Sequence, residues 1–241
     1  MRLPLLMFTC LILVMGVSPH ATATDLKQSA ELTVVGEATS ETGADLRFEV
    51  LRNGKPVGHH HVWLAELGDE TRVDVRFEIS VPILIIASYD YLYESSARWE
   101  GDRLMSLEAK TDDDGDVSIV KVSQVDGVTR IIGPDGELDV PGALFPTNHW
   151  NVGVLSEIRV LNTITGDVDQ VTISEIGRET VATERGEIQA TRYAYDGDLR
   201  TEVLYDIEDR WVGMTFEAAD GSTIDYRCLR CQGEQMVTAT Q

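Results

Sequence analysis

Histidine, cysteine and clustered carboxylate are the side chains here that could hold a metal or activate a nucleophile, and they are unevenly placed. Three of the five histidines are consecutive, His59-His60-His61, and His149 lies in Leu144–Gly153, "LFPTNHWNVG", flanked by Asn148, Trp150 and Asn151. On a strand covering Val57–Leu64, His60 shares a face with Val62 and Leu64 and points into a core; His59 and His61 share the other face with Trp63. If His60 and His149 meet, they could bind a metal with Asp90 or Asp112 as third ligand, or serve a metal-dependent enzyme with the loop as its lid. Two histidines without a defined third ligand are a weak metal signature. The favoured reading is a pair of buried imidazoles satisfied by Asn148, Asn151 or a loop carbonyl. His59 and His61 could pinch an ion, though such a pair on an outer face is more often solvated.

Other catalytic signatures are missing from the sequence. There is no Gly-x-Ser-x-Gly elbow, and Ser95, Ser96 and Ser156 have no motif pairing them with a base. The run Asp112–Asp116, "DDDGD", has oxygen density for Ca²⁺ but lacks the spaced ligands and closing Glu of an EF-hand loop. It reads as a solvated hairpin tip. Cys228 and Cys231 stand in "YRCLRC". In an oxidising compartment a disulfide is their default, provided Leu229-Arg230 turns, because three residues of extended strand span about 10 Å. A redox site would open a helix and a zinc site would need a second pair, so the reading is a structural clip.

The elements that position these groups are strands. Period two recurs, most clearly in Arg72–Val81, "RVDVRFEISV", where Val73, Val75, Phe77, Ile79 and Val81 share one face. Leu46–Val50, Val212–Ala218 and Ile224–Cys228 alternate in the same way. Asn53-Gly54, Asp126-Gly127, Asp135-Gly136, Asp196-Gly197 and Asp220-Gly221 mark tight turns between them. Arg98–Asp116 and Arg210–Asp225 both open Arg-Trp, reach Glu-Ala and end in an acidic glycine turn, which suggests two related halves. Gly133–Ser156, with Pro134, Pro141 and Pro146, separates them as a long covering loop. Asn148 could cap a short helix through Trp150–Glu157.

One segment departs from simple alternation. In "PILIIASYDYLYES", Ile83, Ile85, Ala87, Tyr89, Tyr91 and Tyr93 share a face, while Leu84 and Ile86 make the opposite face apolar over the first half. Such a strand must be covered on both sides, by the chain itself in the favoured reading, otherwise by a ligand or partner. The tyrosine row could line a pocket, although aromatic side chains are more often ordinary core.

The chain opens with Arg2, the apolar run Leu3–Val17 and the small residues Ala21-Thr22-Ala23, the grammar of a cleaved secretory leader. A membrane span needs about 20 apolar residues, more than this run supplies. The expectation is a signal peptide over residues 1–23 and one β-rich domain over 24–241, periplasmic or secreted. The formal net charge of −21 becomes −22 when Arg2 leaves with the leader. That field repels nucleic acid and anionic membrane surfaces, so neither is an expected partner.

"GHHHVWL", "RWEGDRL" with "KTDDDG", "PTNHWN", "LNTITG" and "YDIEDR" occur in this order, and together the chain resembles a family of exported bacterial proteins known as domain of unknown function 6134. The resemblance runs from about Leu46 to Tyr226, with "PTNHWN" its most specific piece. It implies a β-rich exported domain without an assigned activity, and marks His60, His149, Trp150 and Asn151 as family-type positions. Where the family often has an acidic residue before the first hairpin tryptophan, this chain has "SSARW".

The expected architecture is all-β: a large antiparallel meander of roughly a dozen strands, strongly curved or barrel-like, with one long covering loop and at most a short helix. The expected function is a non-enzymatic envelope protein, without cofactor, holding an apolar small molecule or a protein partner. Its expected ligand-binding residues are His60, Tyr89, Tyr91, Tyr93, His149, Trp150 and Asn151. The metal-dependent alternative centres on His60 and His149. "PTNHWN" is expected to plug the structure, with Trp150 burying its ring.

Overall fold

The computed structural model describes residues 45–84 and 87–232. The leader assigned to residues 1–23 lies outside the described residues, as do Ile85 and Ile86. The described chain is all-β. Its strands are β1 (Leu46–Arg52), β2 (Lys55–Leu67), β3 (Glu70–Leu84), β4 (Ala87–Glu100), β5 (Arg103–Asp113), β6 (Asp116–Val125), β7 (Val128–Gly133) and β8 (Gly136–Pro141), followed by β9 (Phe145–Pro146), β10 (Arg159–Leu161), β11 (Val168–Thr183), β12 (Gly186–Gly197), β13 (Thr201–Asp206), β14 (Trp211–Glu217) and β15 (Thr223–Arg230).

All belong to one 15-stranded sheet ordered β8-β7-β6-β5-β4-β3-β2-β1-β15-β14-β13-β12-β11-β10-β9. Sheet neighbours are sequence neighbours except at one place, where β1 pairs with β15 and joins the two arms of the meander. The turns follow local chemistry. Asn53-Gly54, Asp114-Gly115 and Asp126-Gly127 each have two consecutive positive φ angles, which asparagine, aspartate and glycine tolerate and tight hairpins require.

The ends of this order reveal the curvature. β8 and β9 occupy opposite edges of the sheet, yet only Gly142, Ala143 and Leu144 separate them in sequence. Four Cα–Cα steps reach about 15 Å at most, so the sheet must curl until its edges face each other. At that seam Arg159 donates from Nη2 to the carbonyl oxygen of Pro141 at 2.8 Å. A Cβ at Gly133 would stand only 2.9 Å from the carbonyl oxygen of Thr165, so the turn after β10 lies directly on β7. Contacts of this kind protect the edges without a continuous ladder across them.

Two expectations about the 133–156 segment need correction. It is not a strandless loop, because β8 pairs with β7 through Thr129↔Val140 and its neighbours. Of β8 only Val140 is buried, so an edge strand wet on both faces carries no alternation to read. The helical element is a 3-10 turn over Val152–Ser156, and its cap is Asn151, whose side chain accepts from the Gly153 N–H at 2.9 Å, not Asn148.

The core fills the curl at one end. Val62, Val73, Val75, Ala97, Trp99, Leu104, Leu107, Val122 and Ile131 come from successive strands, Leu144 and Val154 from the covering segment, and Val160 and Leu161 from β10; all are buried. Trp99 meets Trp150 edge-on at 5.3 Å and Phe145 at 5.4 Å. At this same end, Cys228 and Cys231 form a disulfide with Cα atoms 5.7 Å apart, the chain turning after β15 to close it. Glu184, in the β11–β12 turn, accepts backbone N–H groups from Cys231 at 3.2 Å and Gln232 at 3.0 Å.

Candidate functional site

The inner face of β3 shows where packing stops. Val73 and Val75 are buried, but Phe77, Ile79 and Val81, next along the same stripe, are only half-buried. On β4 the gradient is parallel: Ser95, Ala97 and Trp99 are buried, as is Tyr93, while Tyr91 and Tyr89 are half-buried. Register explains the match, since Phe77 pairs with Tyr93, Ile79 with Tyr91 and Val81 with Tyr89. Two-residue alternation thus continues past the filled core, and its apolar side chains face a cavity of about 870 Å³.

The cavity wall is built from both arms of the meander. β3 and β4 supply Phe77, Ile79 and the three tyrosines; β14 and β15 supply Met214, Phe216, Ile224 and Tyr226 across from them. Ile83 stands at the rim, 61% exposed. Among the described residues it stays largely uncovered. At the open end, Arg52 is held by Asp220 and by Ser222, to whose Oγ it donates from Nε at 3.0 Å. Arg200 lies there with its Nε 3.8 Å from Asp196.

The floor gathers the histidines expected at the site. His60 packs edge-on against the Trp211 indole at 5.2 Å, and His149 approaches the same indole at 5.9 Å. His149 is buried, and its Nδ1 lies 3.5 Å from the Tyr195 hydroxyl. Its backbone carbonyl accepts from the Tyr205 hydroxyl at 2.7 Å. The Tyr93 hydroxyl donates to Thr163 Oγ1 at 2.8 Å, tying β4 to the turn after β10.

Burial sets the charge of this floor. It lowers His60 to about 3, with His149 and His61 adding to the effect, and lowers His149 to about 4. Both imidazoles are therefore neutral near pH 7. Burial also raises Tyr91 to about 12 and pushes Tyr93 and Tyr226 upward, so these phenols keep their protons.

The structure thus brings His60, Tyr89, Tyr91, Tyr93 and His149 to one cavity. Trp150 and Asn151 are not on it. Trp150 packs behind His149 against Trp99, half-buried rather than enclosed, and Asn151 caps the 3-10 turn. The loop residues that do line the cavity are Thr147, Asn148 and His149. The carboxylates considered as third metal ligands also lie elsewhere. Asp90 pairs with Ser80 and Asp112 with Leu92, all on the outer face of the wall. Among the described residues, no third histidine, cysteine or carboxylate joins His60 and His149. His59 and His61 do share the outer face, their rings stacked at 5.8 Å, but His61 is 2% exposed and not solvated.

Sequence reasoning missed the far wall. Met214, Phe216, Ile224 and Tyr226 alternate in strands recognised as such, yet no local signal separates a side chain facing packed core from one facing a hollow.

A family described as a domain of unknown function, DUF6134, matches residues 48–229. No curated protein matches the chain. A solved structure, described as a beta-barrel-like protein of domain of unknown function DUF1849 from Brucella abortus, is similar with a TM-score of 0.56 and 12% identity, over 77% of this chain and 95% of that one. At that identity the likeness concerns the fold: a curved, barrel-like sheet.

Proposed function

We propose that this chain, which belongs to the family of domain of unknown function DUF6134, binds an apolar small molecule inside its curled sheet. The observation that carries the reading is the unfilled end of the barrel. A natural core is packed to crystal-like density, and voids larger than a water molecule are few. Here the apolar stripe of β3 and β4 runs from buried valines to half-buried aromatic rings around about 870 Å³, within the range of small-molecule sites. Uncovered apolar surface of this extent is what a ligand would remove from water.

The metal-dependent alternative has less support. Its third-ligand candidates stand on the outer face, and the two histidines contact rings and a phenol. The leader-like N-terminus and the buried disulfide favour an oxidising envelope compartment as the place of action. An envelope protein inserting an apolar side chain at the Ile83 rim is the other occupant this reading admits.

Titration with an environment-sensitive apolar dye tests the reading, alongside native mass spectrometry of protein purified without detergent. A saturable blue shift with one dye per chain, or a co-purified apolar molecule, is expected. No dye binding together with a bare mass would end it.

A further inference from the structure

The chemistry of the floor says which end of a ligand it would accept; this inference rests on the binding reading above. Arginine reaches the cavity only at its open end, where Arg52 is engaged by Asp220 and Ser222 and Arg200 neighbours Asp196. At the floor the polar groups are imidazole, amide and hydroxyl: His60, Asn148, His149, Thr163 and Tyr226. No lysine, arginine, aspartate or glutamate lines it there.

Several hydroxyls around the cavity are already engaged. Tyr93 and Thr163 bond each other, and the Thr201 hydroxyl donates to the Thr215 carbonyl at 3.2 Å. The two imidazoles are held more loosely, with the Nδ1 of His149 3.5 Å from the Tyr195 hydroxyl and that of His60 3.5 Å from the Tyr226 hydroxyl, each at the outer limit of a hydrogen bond. The His60 ring is fixed by Phe48 at 6.3 Å, Phe77 at 5.9 Å, Trp211 at 5.2 Å and Tyr226 at 5.4 Å, so it cannot swing to a closer partner.

We propose that the cavity takes a single-chain amphiphile whose polar end is one uncharged hydrogen-bonding group, a hydroxyl or carbonyl, bonded to His60 at the floor, with its apolar chain running along Phe77, Tyr91 and Tyr89 to Ile83. A neutral imidazole can donate or accept, so either an alcohol or a carbonyl satisfies it. A carboxylate at the same place would be stripped of water with no cation to meet it. A quaternary ammonium would lose its hydration without a carboxylate, and offers His60 neither donor nor acceptor.

The test is displacement of a bound apolar dye at pH 7.5 by 1-dodecanol, dodecanoate and dodecyltrimethylammonium, below their aggregation thresholds. Dodecanol is expected to displace the dye at about tenfold lower concentration than either ion, the worth of one well-placed hydrogen bond. His60→Leu should bring the three within about twofold of one another, and His60→Gln, which keeps a neutral donor and acceptor, should restore part of the preference. In ¹⁵N-labelled protein the His60 ring-nitrogen resonance should move with dodecanol and stay still with the ions. Equal displacement by all three, or a lead for either ion, would overturn this inference while leaving the binding reading intact. Failure of the dye itself to bind would remove both.

Discussion

Tyr205 donates its hydroxyl hydrogen to the backbone carbonyl of His149 at 2.7 Å, a buried bond between residues 56 apart in sequence. It pins the loop that carries "PTNHWN" to the inner face of β13. A loop that enters a barrel leaves backbone groups without strand partners, and each must find one or cost stability. Tyr205→Phe should therefore lower unfolding free energy by about 1–3 kcal/mol, the penalty of a stranded buried carbonyl. Urea denaturation followed by tryptophan fluorescence measures it, and an unchanged midpoint would remove this bond from the plug.

The tryptophans should separate by burial. Trp211 is 2% exposed under both floor histidines, so Trp211→Ala should cost about 3–5 kcal/mol. Trp150 is half-buried against Trp99, and Trp150→Ala should cost less than that range. Equal losses for the two would show that the loop ring matters more than its packing indicates.

Acid should destabilise the protein earlier than carboxylate titration alone would. The unfolded chain takes up protons at His60 and His149 below 6.5, whereas burial holds the folded values near 3 and 4. The unfolded state then binds more protons, and stability falls as pH drops from about 6.5 toward 4, by up to about 1.4 kcal/mol per unit for each histidine. Above 6.5 this contribution is flat. Melting curves from pH 8 to 4.5 should show the slope, and a His149→Phe variant should show a shallower one.

Ile83 offers a substitution that spares the fold. It is 61% exposed at the rim, so Ile83→Asp should change stability by less than about 0.5 kcal/mol. Dye affinity should nevertheless fall, because the charge stands where the apolar chain would leave the cavity. An unaltered dissociation constant would place the binding path elsewhere.

The disulfide and Glu184 should act as one clamp. Closing so short a loop is worth about 2 kcal/mol by chain entropy. It also holds the Cys231 and Gln232 N–H groups toward the Glu184 carboxylate. Cys228→Ser/Cys231→Ser and Glu184→Ala should each destabilise, and the triple variant should lose less than their sum. Strict additivity would show that the two features are independent.

Alternation and turn chemistry, both local, determined most of the fold by themselves. Val73 through Val81 on one face, and Asn53-Gly54 or Asp126-Gly127 at the bends, name strands and hairpins without knowledge of neighbours. They also placed His60 inward and put Tyr89, Tyr91 and Tyr93 in one row. The edge strand β8 escaped because water on both faces leaves no pattern. Tertiary structure alone decided that residues 142–144 bring opposite edges together, that Trp211 lies under both His60 and His149, and that Asn148 rather than Trp150 or Asn151 faces the hollow. The physical reason is that an apolar side chain looks the same in sequence whether its inner face meets packed atoms or empty space. Curvature, the sum of many small twists and one seam, sets which of the two it meets.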